Sequence, residues 1–152
     1  MELNEIYTEI ITEHSTSSRN RRHLEQASVS LAGKNPSCGD EIELELLIDH
    51  GRITDASYTG TGCAISQASA SMMVDLIKGK SLSEAKYLAE LFTAMIQRKT
   101  TNDKDLEPLE EAAALKSISN LPARVKCAAM PWHTLETAFK STSFQTADKV
   151  RG

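Results

Sequence analysis

Along residues 3–14 the apolar side chains Leu3, Ile6, Tyr7, Ile10 and Ile11 recur at helical spacing, which predicts an amphipathic helix. The stretch 15–23 is polar and basic and reads as a loop. From 24 to 33 the alternation of Ala27, Val29 and Leu31 against small polar neighbours predicts a strand, and the turn formers crowded into 33–40 end it. Residues 41–49 alternate most clearly. Ile42, Leu44, Leu46 and Ile48 share one face, and Glu43, Glu45 and Asp49 fall on the other, the pattern of a strand with one wet side. His50-Gly51 turns the chain into a return strand over 52–58, and Gly60-Thr61-Gly62-Cys63 follows as a second glycine-rich loop.

Helices dominate the rest. Residues 64–78 read as a helix rich in Ala and Ser and stopped by Gly79. Ser81-Leu82-Ser83-Glu84 is a capping box that opens a helix over 81–97. The charged run 98–106 reads as a mobile insert, 107–118 as a short helix with Pro108 in its first turn, and 123–140 as a helix that Pro131 kinks or restarts. The polar tail 141–152 reads as frayed and flexible. Strands grouped early and helices grouped late predict an α+β fold, a small antiparallel three-stranded sheet with helices on one face, in one domain spanning 1–152.

Composition narrows the function. A chain of 152 residues buries about 68–70% of its unfolded surface, enough for a core without disulfide staples. Its net charge of −4 argues against nucleic acid as the main partner. No apolar run approaches the ~18 residues of a membrane span, and the N-terminus lacks the regions of a signal peptide, so the expected location is cytoplasmic. In that reducing setting the three cysteines, Cys38, Cys63 and Cys127, are core filler, metal ligands or nucleophiles rather than disulfides.

Hairpin geometry alone brings Cys38 and Asp40, before the long strand, close to Cys63, after its partner. Cys127 reaches the same place only if helix packing carries it there. If it does, three thiolates and one carboxylate suit zinc, or one iron of a cluster. The carboxylate is the weaker, more exchangeable ligand, which points to a site that opens. Cys63 falls at a helix N-terminus, where the dipole favours an anion, and Arg124 and Lys126 precede Cys127 by three residues and one. The bland alternative is three small buried hydrophobes, but core cysteines have no need of the glycines beside Cys38 and Cys63. Gly79-Lys80-Ser81 ends like a phosphate loop, yet Val74 stands where the first glycine is required. His14, His23, His50 and His133 read as solvated or locally bonded, and Trp132 and the Met72-Met73 pair as core.

Asn35-Pro36-Ser37-Cys38-Gly39-Asp40, then Gly60-Thr61-Gly62-Cys63-Ala64-Ile65-Ser66-Gln67-Ala68-Ser69-Ala70-Ser71-Met72-Met73, then Pro122-Ala123-Arg124-Val125-Lys126-Cys127 resembles the NifU/IscU/SufU family of iron–sulfur cluster assembly proteins over about residues 3–140. Lys126 in place of a histidine before the last cysteine, some twenty extra residues around 95–118, and Trp132 after Cys127 resemble the SufU branch. The resemblance implies a SufE/NifU-like fold and zinc bound by Cys38, Asp40, Cys63 and Cys127. It implies persulfide sulfur accepted from a SufS-type cysteine desulfurase at Cys38, with Cys127 as the alternative acceptor, and passed to downstream SUF assembly proteins. In that branch the thiolate matching Cys38 leaves the zinc as a desulfurase histidine takes its coordination place. The resemblance also implies that Arg124 lies beside the metal, and Arg124 and Lys126 are expected to join the catalytic set. The alternative within the family is a scaffold assembling a [2Fe–2S] cluster on the same ligands. The loop 15–18 departs from the family pattern, which usually carries a Tyr after the helix-terminal His, and so bears on desulfurase docking.

Overall fold

The computed structural model describes residues 3–36 and 39–140, with side chains from residue 9 onward; Cys38 and the tail 141–152 lie outside the described residues. The chain runs through α1 (Leu3–Thr16), β1 (Val29–Asn35), β2 (Asp40–Asp49), β3 (Arg52–Thr61), α2 (Ala64–Ile77) and α3 (Leu82–Ile96). A 3₁₀ segment (Glu107–Asn120) and α4 (Pro122–Lys140) complete it. The strands form one antiparallel sheet in the order β1-β2-β3. The expected α+β architecture is the one observed.

The sheet works because alternation places one apolar row against the helices. Ile42, Leu44, Leu46 and Ile48 of β2 are all buried, and Ile53, Ala56 and Tyr58 of β3 extend the row. Helices α2 and α4 cover it. The core continues into α3, where Phe92 stacks on Trp132 with ring centroids 4.3 Å apart. Met72 and Met73 are core residues, as their spacing predicts.

Local chemistry sets the helix boundaries. The Ser81 hydroxyl accepts from the Glu84 N–H while the Glu84 carboxylate accepts from the Ser81 N–H, the reciprocal capping box predicted from the sequence. Gly79, at φ +80°, ends α2 in a conformation that glycine adopts without penalty. No helix among the described residues is long and apolar enough to cross a membrane.

Four local expectations need correction. The first strand begins at Val29, not at 24. The stretch before it is diverted across the outer sheet face, where Glu45 accepts from the Leu24 N–H at 3.4 Å and pairs with His23 at 2.7 Å. Glu45 is therefore buried, although its place in the alternation puts it on the wet side. The 98–106 run is anchored rather than free, because the Lys116 ammonium donates to Thr101 O and Asp103, and Leu106 enters the core. Finally, 107–120 is 3₁₀ rather than α, broken at Glu110 (φ 51°, ψ −128°). Its Ala- and Glu-rich sequence favours an α-helix, but packing against α1, α2, α3 and α4 overrides propensity. α4 runs through Pro131 as a single helix, with Pro122 at its first position.

Candidate metal centre

The β1–β2 hairpin pairs Asn35 directly with Asp40, and the β2–β3 hairpin pairs Glu41 with Thr61. Asp40 and the loop leading to Cys63 therefore meet at one end of the sheet. The loop follows a tight path. A Cβ on Gly62, at φ +149°, would stand 2.3 Å from Asp40 Oδ1 and 2.8 Å from Ser66 Oγ. A Cβ on Gly60 would stand 2.0 Å from the Glu41 carbonyl oxygen. Glycine at both positions is what lets the loop lie on the carboxylate.

Cys63 is the N-cap residue of α2, with extended backbone and no side-chain cap bond. Its sulfur is thus left for other work while its backbone N–H donates to Asp40 Oδ1 at 2.8 Å. The Ser66 hydroxyl, one turn on, donates to the same oxygen at 3.1 Å. The Asn35 amide donates to Asp40 Oδ2 at 3.3 Å and approaches Cys127 Sγ at 3.7 Å.

Helix packing does carry Cys127 to this place. The Ser69 hydroxyl of α2 donates to Ala128 O at 2.6 Å, and Trp132 Nε1 donates to Ser69 Oγ at 3.0 Å. These two bonds lock the start of α4 against the small-residue face of α2. On the other side Gly33 admits Thr134, whose Oγ1 would lie 1.8 Å from a Cβ there. The result brings one ligand atom each from Asp40, Cys63 and Cys127 within 4.8 Å of one another. Asp40 and Cys127 are buried and Cys63 is partly exposed.

The donor set fits a thiophilic divalent ion. Tetrahedral zinc with Zn–S near 2.3 Å separates its sulfurs by about 3.8 Å, and ligand atoms that all lie within 4.8 Å of one another are close enough to share such an ion. Asp40 is a buried carboxylate with no lysine, arginine or histidine paired to it among the described residues. Hydrogen bonds from three neutral donors hold it, yet two sulfurs stand beside it, and a cation completes such a group.

Arg124 and Lys126 lie exposed within the first two turns of α4, and neither forms an ion pair with Asp40. His133 is also exposed and belongs to no cluster of candidate ligands among the described residues. Two contributors, Asn35 and Ser66, carry no role in the reading from sequence. Asn35 was legible as the residue opposite Asp40 once the hairpin is closed symmetrically about 36–39, and Ser66 as the first-turn hydroxyl three residues after Cys63.

The chain belongs to the family of NifU-like N-terminal domains, whose model matches residues 6–142. It is 40% identical over 135 residues to the zinc-dependent sulfurtransferase SufU of Bacillus subtilis, covering 88% of this chain and 89% of that one. It is 39% identical over 138 residues to the iron–sulfur cluster assembly scaffold protein IscU of Thermotoga maritima, covering 91% and 95%. The crystal structure of FiSufU, a SUF-system protein from Fervidobacterium islandicum AW-1, superimposes with a TM-score of 0.79 at 37% identity, covering 88% of this chain and 96% of that one.

Proposed function

We propose that the protein serves iron–sulfur cluster assembly as a zinc-dependent acceptor of persulfide sulfur from a SufS-type cysteine desulfurase, passing the sulfur on to SUF assembly proteins. The observation that carries this reading is the convergence of Asp40, Cys63 and Cys127 on one point, in a chain similar to a zinc-dependent sulfurtransferase. Cys38, two residues before Asp40, is the fourth ligand in this proposal. Zinc bound there would keep the thiols deprotonated and ready as ligands.

The chain's own groups do the rest. Asp40 supplies the hard, exchangeable oxygen, and Asn35, Ser66 and the Cys63 N–H fix its orientation. Sulfur transfer is thiol–disulfide-type exchange. The Cys38 thiolate attacks the outer sulfur of the desulfurase persulfide, a new S–S bond forms, and the desulfurase cysteine departs with the electron pair of the broken bond. No net oxidation occurs. Cys127 is the alternative acceptor, and Arg124 and Lys126 offer positive charge to the arriving persulfide.

The test is metal content of the purified protein together with stimulation of a cysteine desulfurase. One equivalent of zinc with faster alanine release supports the sulfurtransferase. Iron with acid-labile sulfide, or zinc without stimulation, moves the assignment to a scaffold of the kind named for the Thermotoga maritima relative.

A further inference from the structure

The two edges of the sheet are treated differently. Along β3 the chain covers its own edge twice. Tyr58 N–H donates to Asn20 O and Arg22 N–H to Tyr58 O, and further on Ile53 N–H donates to Lys80 O and Gly79 N–H to Ile53 O. Along β1 no segment among the described residues pairs with the outer side. An edge left open presents its outward N–H and C=O groups to any chain that can lie beside it.

Beside this open edge runs a cavity of about 420 Å³ between β1 and α4. Ile96, Ala129 and Met130 line its apolar part, and Lys34, Lys126 and His133 its polar part. The chain carries 21 acidic residues and a net charge of −4, yet none of the lining residues is acidic. Lys34 is paired with Glu41 at 3.2 Å, while Lys126 and His133 have no carboxylate partner among the described residues. Gln97 lines the far part, and the cations Arg98 and Lys99 follow it in the chain. One further lining residue is Asn35, whose amide contacts both Asp40 and Cys127. The groove thus shares a wall with the metal centre.

We infer that this groove receives an extended, acidic segment of a partner protein, added as a fourth strand along β1 and directed at the metal centre through Asn35. Backbone pairing with β1 supplies affinity, apolar side chains at alternate positions meet Ile96, Ala129 and Met130, and carboxylates between them meet the basic rim. The idea that the partner exchanges sulfur there rests on the proposed function; the docking itself does not.

The probe is a fluorescein-labelled octapeptide alternating Val and Glu, with a Val–Lys peptide as control, titrated against the zinc-loaded full chain without desulfurase. The acidic peptide is expected to bind, to protect the amides of β1 from hydrogen exchange, and to bind about tenfold more weakly to the double variant Gln97→Glu, His133→Glu. Equal binding of both peptides, no binding of the acidic one, or protection that spares β1 overturns the proposal. Zinc content of the double variant, expected unchanged, guards against a folding defect, and a retained-fold variant that still binds with full affinity also overturns it. Desulfurase stimulation is a separate readout. Its absence with the peptide result intact would remove the sulfur-transfer reading and leave the groove.

Discussion

Helix α2 carries a polar cluster near each end, the first mostly buried and the second built on one buried residue, His14, with two exposed carboxylates. At its N-terminus Asp40, Cys63 and Cys127 bring one ligand atom apiece within 4.8 Å; near its last turn His14, Asp75 and Glu111 do the same. The second cluster is satisfied by protein alone. His14 lies between Ser71 Oγ at 2.9 Å and Glu111 Oε1 at 3.0 Å. Asp75 is bonded by Arg19 and by Asn20, and Lys78 donates to the Asn20 carbonyl oxygen at 3.2 Å. Each anion there has a cation or a buried donor of its own, so the cluster fastens α1 and the 3₁₀ segment to α2. In the first cluster Asp40 has two sulfurs and neutral donors beside it, and no cation pairs with its carboxylate among the described residues. The same geometric test passes both; charge balance separates a fastening from a metal site.

The comparison is broken most strongly at Cys127. Cys127→Ser is expected to reduce bound zinc from one equivalent to under about a tenth. A hundred- to thousandfold weaker affinity removes about 3–4 kcal/mol of metal-dependent stability. Elemental analysis and chemical denaturation with and without a chelator check both. Zinc content unchanged in that variant would take Cys127 out of the site.

Gly62→Ala comes next, because it attacks the cradle without touching a ligand. A methyl group 2.3 Å from Asp40 Oδ1 at φ +149° should cost about 2–3 kcal/mol and displace the carboxylate, so zinc affinity falls with stability. Gly39→Ala is the control. Its φ of +71° is also left-handed, but nothing among the described residues beyond its chain neighbours lies within 4 Å, so only the conformational penalty of about 1 kcal/mol is expected. Denaturation midpoints and zinc competition measure the pair; equal effects would mean that the close approach does not matter.

These positions also show what the sequence could and could not tell. The β2–β3 hairpin, the capping box at Ser81 and the stop at Gly79 follow from local rules, and the neighbourhood of Asp40 and Cys63 follows from the hairpin. Glu45 and Glu110 were not readable in this way. Glu45 is buried because a segment twenty residues earlier crosses over it, and Glu110 adopts φ 51° because the 3₁₀ segment is shaped by its neighbours. The arrival of Cys127 depended on Ser69, Trp132 and the room left by Gly33, contacts between residues 59 to 101 positions apart that no periodicity records.

At the fastening end His14→Ala should cost about 2 kcal/mol, since the residue is fully buried and bonded at both ring nitrogens, while zinc content stays at one equivalent. Thermal denaturation and elemental analysis of one preparation test it. Loss of zinc in parallel with stability would mean that the two ends of α2 are coupled, and the distinction drawn between them would fail.

The smallest effect expected is at Asp75. Burial pushes its carboxyl up, but the hydrogen bonds from Arg19 and Asn20 and the charge of Arg19 outweigh that and hold it below its usual value of 3.8. A carboxylate depressed in the folded state contributes stability that is fully present above its unfolded value and is lost as pH falls through the folded one. The side chain is about one-third exposed, so solvent screens the pair and its contribution near neutrality is under about 1 kcal/mol. Asp75→Asn should therefore be slightly less stable than the parent at pH 7, and the two curves should converge as pH falls below 3.8, the gap closing because only the parent has a proton to gain. Urea midpoints measured at intervals across that range test the sign. A gap that persists at the acid end would assign the stabilisation to the shape of the side chain rather than to its charge.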